Sequence, residues 1–294
     1  MVLDENGRPI DIKPYERNTA TKMIEDFMLL ANETVAEEYF WRELPFLYRT
    51  HETPDDEKIK KLSTLINNFG YHIHVGNGVR PMEVQKLLGK AEGTPEEALI
   101  DRLALRSMKQ AKYSPENTGH FGLAAKYYTH FTSPIRRYPD LQIHRIIKDN
   151  IRGRMQEEKI VHYDKILPEV TKHASEMERR AEEAERETVK LKKVEYMKER
   201  IGEEFDGVIS GITRWGAYVE LENTIEGLVH VTNMYDDHYE YFEEQYELIG
   251  AHTRNVYKLG QPVRVRVLGV DRLQRTIDFE FCEADSRQQS DRES

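Results

Sequence analysis

The first two thirds of the chain show a hydrophobic period of three to four residues, which is typical of amphipathic helices. This pattern predicts helices from Asn18 to about Trp41, from Thr94 to about Lys112, from Pro139 onward, and from about Tyr163 to Ile201. The stripe predicted to be buried in the first helix consists of Ile24, Phe27, Met28, Ala31 and Val35. The next two stripes consist of Ile100, Leu103, Ala104, Met108 and Ala111, and of Ile143, Ile146, Ile147 and Ile151.

Local signals mark the ends of these helices and the irregular segments between them. The run Thr94-Pro95-Glu96-Glu97 supplies an N-cap, a proline at the first helical position and a capping-box glutamate. Residues 69–79 and 113–122 show no helical period, and the two prolines of residues 132–139 predict a rigid, irregular segment. The last helix carries Glu and Lys or Arg at spacings that allow pairing, which favours a solvated helical strut.

In two other parts of the chain, apolar and polar residues alternate with a period of two, which is typical of strands. Residues 2–12 predict a β-hairpin whose turn uses Asn6-Gly7. After Gly202, five or six short strands follow within about eighty residues, a spacing typical of a small barrel. Within this region, Asp236 to Glu247 is acidic and rich in tyrosine, and we interpret it as an ordered excursion with aromatic anchors. Residues 284–294 form a polar tail.

The composition limits the classes of protein to which the chain can belong. Its 294 residues leave room for about two domains. Acidic residues number 53 against 43 Lys and Arg, and no uncharged apolar stretch approaches the ~20 residues that span a bilayer. The first residues lack a secretory signal, and the single cysteine, Cys282, cannot form an internal disulfide. We therefore expect a cytoplasmic protein without a membrane partner.

The formal charge of −10 conceals a basic central region. Between Arg102 and Arg154 the chain carries eleven Lys or Arg against three acidic residues. A basic centre in an acidic chain is typical of proteins that focus a polyanion on one groove. The charge pattern fits a second interpretation equally well, in which these residues form a basic helical face without a ligand.

The predicted barrel contains residues that suit single-stranded nucleic acid. Trp215 and Tyr218 flank the bend at Gly216, so both rings can face one side, and a base stacked on such a ring gains ~1 to 3 kcal/mol. His230, Arg266 and Arg275 can add phosphate or base-edge contacts. Either ring can equally belong to the core.

Residues 202 to about 282 resemble the S-one type of RNA-binding domain, which has an oligonucleotide-binding (OB) fold. This resemblance matches Trp215 and Tyr218 to the exposed aromatic residues of that family, and His230 to its histidine. It matches Asp271 and Arg275 to a late pair of one acidic and one basic residue. The resemblance therefore implies RNA contacts at these five positions.

The most specific motif lies in the basic centre. Residues 119–123 are Gly-His-Phe-Gly-Leu, and residues 130–141 are His-Phe-Thr-Ser-Pro-Ile-Arg-Arg-Tyr-Pro-Asp-Leu. A rigid loop with two adjacent arginines before a helix predicts a phosphate clamp, because a guanidinium stays charged and presents a planar fork of donors. We assign the chemistry to Arg136 and leave Arg137 as a clamp or as a strut paired with Asp140.

These residues resemble the signature of the ribonuclease II and ribonuclease R family, and the resemblance covers the chain apart from its tail. It implies an α+β architecture: residues 1–201 would be the mainly helical C-terminal portion of an RNB-type catalytic domain, and residues 202–283 a five-stranded OB-fold barrel. It also implies a hydrolase that degrades single-stranded RNA processively from its 3′ end, to nucleoside monophosphates, with a divalent metal such as Mg²⁺.

The resemblance also assigns individual residues. It places Arg136 at the scissile phosphate and Glu178, on the long helix, near the reacting end of the RNA. Glu25 matches a residue that senses the sugar of the last nucleotide, and Arg137 and Tyr138 would contact RNA. From the residues alone, both glutamates are ordinary solvated helix charges.

One departure from the family limits what the chain can do. The family's metal-binding aspartates, and the aromatic residue that stacks on the last bases, lie before the hairpin with which this sequence begins. The paired acids Asp55-Asp56 and Asp236-Asp237 lack the further carboxylates that a two-metal site needs. We therefore assign no metal ligand to this chain, and expect its partners to be RNA and a missing upstream half.

Two alternatives stay open. The chain can act alone as an RNA-binding module without turnover, or as a structural adapter built on the long charged helix. The adapter predicts no RNA affinity at physiological salt, whereas the module predicts binding without shortening.

Overall fold

The structure is a computed structural model that describes residues 1–13, 18–75, 78–94, 97–243 and 245–282, except the side chains of residues 98 and 99. The chain divides into two compact units. The helical unit comprises Glu16–Glu92 and Ile100–Glu183, and the barrel unit comprises Met1–Tyr15, Gly93–Leu99 and Ala184–Ser294. The predicted polar tail lies outside the described residues. None of the helices in the described part combines the length and apolar character that crossing a bilayer requires.

The described helices are α1 (Thr19–Trp41), α2 (Asp56–Asn67), α3 (Pro81–Ala91), α4 (Glu97–Ser107), α5 (Tyr138–Ile151) and α6 (Glu157–Lys198). The first strands are β1 (Val2–Leu3), β2 (Pro9–Asp11), β3 (Tyr48–Thr50) and β4 (Lys112–Ser114). The remaining strands are β5 (Glu204–Thr213), β6 (Gly216–Leu221), β7 (Glu226–His230), β8 (Tyr239–Phe242), β9 (Glu247–Gly250), β10 (Val256–Lys258), β11 (Pro262–Asp271) and β12 (Thr276–Phe281). Strands β1 and β2 form the predicted hairpin, with Gly7 at a φ of +76° in its turn.

Helix α1 begins where the sequence predicts, because Asn18 caps it. The Asn18 side chain accepts a hydrogen bond from the Thr21 N–H at 2.9 Å, and the Thr21 hydroxyl accepts one from the Asn18 N–H at 3.0 Å. The predicted buried stripe is wrong at its N-terminal end, since Ile24 and Phe27 are 59% and 63% exposed. The buried face of the helix consists instead of Asn32, Ala36 and Tyr39. Because α1 is apolar on more than one face, its period does not reveal which face is covered.

Helix α4 ends earlier than predicted. It stops at Ser107, and Lys112 begins strand β4, which pairs antiparallel with β3. The backbone groups of this segment therefore bond to a distant strand rather than to another helical turn. At the other end, the carboxylate of Glu97 accepts a hydrogen bond from the N–H of Gly93 at 2.7 Å, whereas Pro95 and Glu96 lie outside the described residues.

Helix α5 contains Pro139 in its first turn, as predicted. Ile143 and Ile146 are fully buried, but Ile151 is the last residue of the helix and is 78% exposed, so its predicted burial is wrong. Helix α6 is longer than predicted, because it begins at Glu157 and continues through Pro168. Acidic residues in its first turn favour this earlier start, since they complement the helix dipole.

The core of the helical unit fixes the segment that leads to the arginine motif. It is a cluster contributed by α1, β3, α5, α6 and the segments beside them, with Phe46, Leu47, Ile143 and Ile146 fully enclosed. The Thr129 hydroxyl donates to the Leu47 carbonyl at 2.7 Å. Residues 127–131 therefore run beside β3 before the chain enters the motif.

The barrel unit contains the predicted five-stranded barrel. Its strands follow the closed order β11-β12-β7-β6-β5, and β12 and β7 are the parallel pair. Along β6 the side chains alternate, so that Ala217 and Val219 are buried and Tyr218 lies on the outer face. Gly216, at a φ of +144°, has no room for a side chain, because a Cβ there would lie 2.0 Å from the Val229 carbonyl oxygen.

The acidic insert is ordered, as predicted. Its described residues include β8, which pairs with β9 in a sheet of the order β10-β9-β8, while Glu244 lies outside the described residues. Tyr239 is buried, with its ring centroid 5.3 Å from that of Tyr257, and therefore anchors the insert. Tyr235 is 81% exposed and is not an anchor.

Candidate functional site

A buried carboxylate organises the two adjacent arginines before α5. Asp140 is fully buried, and its Oδ1 accepts hydrogen bonds from the Ser133 N–H and from Nη2 of Arg137, both at 2.8 Å. An unpaired buried carboxylate is strongly unfavourable, so Asp140 holds both the loop and the Arg137 guanidinium in place. The predicted pairing of Arg137 with Asp140 is confirmed.

Arg136 has the opposite environment. Its side chain is exposed, and among the described residues the structure gives it no hydrogen bond and no ion pair. Ile135, beside it, is also fully exposed at the tip of the loop. Since Arg137 is neutralised by Asp140, Arg136 is the member of the pair whose charge is available to an anionic ligand.

Glu178 lies in a network of polar side chains rather than on a solvated helix face. Nη1 of Arg49 donates to Glu178 Oε2 at 2.5 Å, and the Tyr113 hydroxyl lies 3.4 Å from Glu178 Oε1. The same hydroxyl lies 2.9 Å from Nδ1 of His130, and the Arg49 guanidinium lies over the Tyr113 ring at 4.7 Å. The sequence did not predict Arg49, Tyr113 or His130 as site residues.

The histidines of the motif are neutral at pH 7. Burial, followed by the positive charges of Arg137 and Arg49, lowers the pKa of His130 to about 3. Burial also lowers the pKa of His120 to about 4, with a contribution from His51. Arg136 is also among the charges that act on His130, so the arginine pair and the Glu178 network lie close together. The positive charge at this place therefore comes from the arginines.

A glycine in the first half of the motif permits close packing of the histidines. The Gly122 N–H donates to Nδ1 of His51 at 3.1 Å, and a Cβ on Gly122 would lie 2.9 Å from that nitrogen. The His51 and His120 rings meet edge to face, with their centroids 5.1 Å apart. The His120 ring also contacts the ring of Tyr128, which contacts that of His130, so this part of the motif packs beside the Glu178 network.

Glu25 and Tyr138 lie on elements that border the arginine loop. Glu25 is half-buried and precedes Asn32 by two helical turns, so the two residues share one face of α1. The Asn32 side-chain oxygen accepts a hydrogen bond from the Phe131 N–H at 2.9 Å, which ties that face to the start of the loop. Tyr138 is 51% exposed at the first turn of α5, and the Arg145 guanidinium lies 5.8 Å from its ring.

The described residues do not form a divalent-metal site. In the part of the chain that the structure describes, no group of three His, Cys, Asp or Glu side chains is arranged to hold a metal ion. The paired acids have other partners: Asp55 forms an ion pair with Lys109 at 3.0 Å, and Asp237 accepts hydrogen bonds from the N–H groups of His252 and Thr253.

The barrel carries a separate aromatic surface. Trp215 is 54% exposed, its ring stacks near that of His230 with centroids 6.4 Å apart, and the Arg214 guanidinium lies 4.6 Å from the Trp215 ring. Tyr218 lies on the same outer face as His230, since the paired strands alternate in phase. An exposed aromatic platform with an arginine and a histidine beside it suits a base and its phosphate.

The remaining barrel residues of the sequence analysis have partners within the barrel unit. Asp271 accepts hydrogen bonds from the N–H groups of Leu273 and Gln274, both at 2.8 Å, and so shapes the turn between β11 and β12. Arg275, in the same turn, pairs with Glu187 of α6. Arg266 pairs with Glu204 at 2.7 Å and with Glu280.

Two family models match the chain, one over its mainly helical first part and one over its barrel. Residues 1–153, just over half of the chain, match the RNB domain family. Residues 198–281 match the S1 RNA binding domain family.

Curated relatives align along nearly the whole chain. Ribonuclease R 1 of Lactococcus lactis is 44% identical over 282 residues, which are 96% of this chain and 34% of the relative. Ribonuclease R of Aquifex aeolicus is 46% identical over 285 residues, which are 96% of this chain and 40% of the relative. The chain thus spans well under half the length of these relatives.

A solved ribonuclease R structure is also similar to the chain along nearly its whole length. The structure of Mycoplasma genitalium RNase R in complex with ribose methylated single-stranded RNA superposes with a TM-score of 0.88 and 28% sequence identity. The superposition covers 96% of this chain and 44% of that one.

Proposed function

Because this chain belongs to the RNB domain family, we propose that it is the RNA-binding C-terminal portion of a 3′ to 5′ exoribonuclease. Together with an upstream part, it would hydrolyse single-stranded RNA processively to nucleoside monophosphates. The match to the S1 RNA binding domain, and the likeness to an RNase R solved with single-stranded RNA, support this proposal. We place the protein in the cytoplasm.

The observation that carries the proposal is the contrast between the two arginines of the loop. Arg137 is held by the buried Asp140, whereas Arg136 is exposed and has no ion-pair partner among the described residues. A preorganised loop with one uncompensated guanidinium is suited to stabilise charge on a phosphodiester as it breaks. We therefore assign the contact with the scissile phosphate to Arg136.

The other residues would position the RNA around this contact. Arg49 and Tyr113 fix the carboxylate of Glu178, which would lie near the reacting end. Glu25 and Tyr138 would hold the terminal nucleotide. The RNA further from the reacting end would stack on Trp215 and Tyr218 of the barrel, a contact that tolerates any base sequence.

The chain supplies only part of this machinery. It spans 34–40% of the Lactococcus lactis and Aquifex aeolicus relatives, so hydrolysis is proposed for the longer protein. In that protein, carboxylates of the upstream part would hold Mg²⁺, which activates water as the nucleophile in metal-dependent hydrolysis. The isolated chain would bind RNA and cleave it poorly or not at all.

The test compares this chain with a joined protein that carries the upstream part of the Aquifex aeolicus relative before Met1. Each is incubated with 5′-labelled single-stranded RNA and Mg²⁺. We expect both proteins to bind the RNA and the joined protein alone to shorten it stepwise. Binding without shortening by both would identify a non-catalytic RNA-binding module, and absence of binding at physiological salt would favour the structural adapter.

The assignment of Arg136 has its own test in the joined protein. We expect Arg136→Ala to slow shortening by about 10²- to 10³-fold with little change in RNA affinity, because the contact is made chiefly in the transition state. Arg152→Ala, which removes an exposed arginine just after α5, is the matched control and should keep the rate. An unchanged rate for Arg136→Ala would refute the assignment.

A further inference from the structure

Helix α1 has two apolar faces, and its own unit covers one of them. Asn32, Ala36 and Tyr39 are buried, whereas Met23, Phe27 and Leu30 on the opposite face are 54%, 63% and 61% exposed. These three lie at spacings of four and three residues, so they form one continuous stripe. Further along the helix, Trp41 lies at the same angular position and is 66% exposed.

A helix that is apolar on both faces is typical of an element packed between two layers. Large side chains that are exposed side by side over several turns mark a binding surface more often than scattered exposed residues do. Around Trp41 there is a separate groove of about 260 Å³, which is lined by Glu33, Glu37, Trp41, Lys126 and Tyr127. The exposed apolar stripe therefore covers residues 23–30, and Trp41 lies beyond a polar interval that contains Thr34, Glu37 and Glu38.

The charges beside the stripe indicate what kind of partner fits it. Asp26, Glu33 and Glu37 lie along one border, within about 80° of the stripe on the helix circumference. An acidic border repels the phosphates of RNA, so the stripe is unsuited to nucleic acid. It suits a protein surface that is apolar at its centre and basic along one edge.

We propose that this stripe is the docking surface for the upstream part of the RNB-type protein. The stripe lies within residues 1–153, which match the RNB domain family. The Aquifex aeolicus relative aligns along 96% of this chain but has 60% of its own length outside the alignment, which is ample sequence for such a partner layer. The identity of the occupant rests on the proposed function, which requires an upstream part.

The test measures how accessible single thiols are. Cys282→Ser removes the native thiol, and Leu30→Cys then places one thiol in the stripe. Ile151→Cys is the matched control, since Ile151 is 78% exposed and lies at the end of a different helix, α5. Maleimide labelling is timed in this chain alone and in the joined protein with the Aquifex aeolicus upstream part.

We expect the Leu30→Cys thiol to be labelled at least about ten times more slowly in the joined protein than in the chain alone, while the Ile151→Cys thiol is labelled equally fast in both. Equal labelling of Leu30→Cys in the two proteins would overturn the proposal. Sedimentation of the chain alone should show a monomer, and a dimer that Phe27→Asp dissociates would assign the stripe to a second copy and also overturn it.

This readout needs neither RNA nor cleavage. If the Leu30→Cys thiol is protected but the joined protein does not shorten RNA, the docking surface stands and the proposed function fails. Phe27→Asp should leave the melting temperature of the chain alone unchanged, because the side chain is already exposed there.

Discussion

Arg49 and Glu178 are 129 positions apart in the chain, yet their side chains form a salt bridge of 2.5 Å with exposed fractions of only 11% and 23%. Strand β3 provides the arginine and helix α6 the glutamate, so the pair joins two elements of the helical unit. Tyr113, which lies over the guanidinium and contacts the carboxylate, completes the network. This pairing makes Glu178 a fixed carboxylate.

Removal of the Glu178 carboxylate should destabilise the helical unit. Glu178→Ala leaves the guanidinium of Arg49 without its partner in a largely enclosed place, and we expect a loss of about 2 kcal/mol in the free energy of unfolding. Urea unfolding of the native chain and of the variant measures this loss. Glu176→Ala changes an exposed glutamate on the same helix and should lose less than about 0.5 kcal/mol. Equal losses for the two variants would contradict a structural role for the Arg49 pair.

Substitution of Arg137 should destabilise the protein, whereas substitution of Arg136 should leave its stability nearly unchanged. Arg137→Ala leaves the fully buried Asp140 carboxylate without its cation, and we expect it to lose about 3 kcal/mol. Arg136→Ala removes an exposed side chain and should change stability by less than about 0.5 kcal/mol. Thermal melts of the two variants, measured side by side, test this prediction. It fails if Arg136→Ala is the more destabilised of the two.

His130 should make the protein less stable in acid. The pKa of His130 is lowered to about 3 in the folded state, against an ordinary value of 6.5. Between these two pH values His130 is protonated in the unfolded chain and neutral in the folded chain. The stabilisation is complete above pH 6.5 and is lost as the pH falls toward 3; one such group accounts for about 2 kcal/mol between pH 7 and pH 5. Urea unfolding at both values should show a smaller difference for His130→Gln than for the native chain. An identical difference would show that His130 does not cause the acid sensitivity.

The aromatic surface of the barrel should bind RNA without supporting the fold. Because Trp215 is 54% exposed, we expect Trp215→Ala combined with Tyr218→Ala to weaken binding of single-stranded RNA by about 10- to 100-fold at unchanged stability. Fluorescence anisotropy with labelled RNA measures the affinity. The control Trp215→Phe with Tyr218→Phe keeps two rings for stacking and should retain most of the binding. Unchanged affinity of the alanine variant would exclude this surface as the RNA site.

The proposed RNA contact of Arg275 can be tested through its ion pair with Glu187. Arg275 can contact RNA only by leaving Glu187, so we expect Glu187→Ala to raise RNA affinity a few-fold and Arg275→Ala to lower it. A double-mutant cycle on the free energy of unfolding should show a weak coupling between the two residues that decreases with added salt, since both side chains are partly exposed. If neither variant changes RNA affinity, Arg275 only ties the barrel to α6.

Features that depend on neighbouring residues were predicted well. The start of α1 at Asn18, the Asn6-Gly7 turn and Pro139 in the first turn of α5 each depend on residues within a few positions. The period of two after Gly202 predicted a small barrel of five or six strands, and the barrel has five. The motif around Arg136 and the barrel pattern together indicated the family that the comparisons show.

The predictions that were wrong depended on contacts between distant parts of the chain. Lys112 leaves its helix because β3 offers a partner strand 62 residues away. Ile24 and Phe27 fit a helical stripe but lie on a face that the helical unit does not cover. Periodicity records that a face is apolar, and it contains no information about which element packs against it.

The sequence by itself therefore determined helices α1, α5 and α6, the hairpin, the barrel and the residue types of the motif, because backbone geometry, capping and side-chain period are local properties of the chain. It did not predict α2, α3, β3 or β4. Only the tertiary structure decided that Asp140 neutralises Arg137 and leaves Arg136 exposed, and that Arg49 holds Glu178. Charge pairs of this kind form when packing brings buried groups within hydrogen-bond distance, and the free energy of burying a charge then selects the partner.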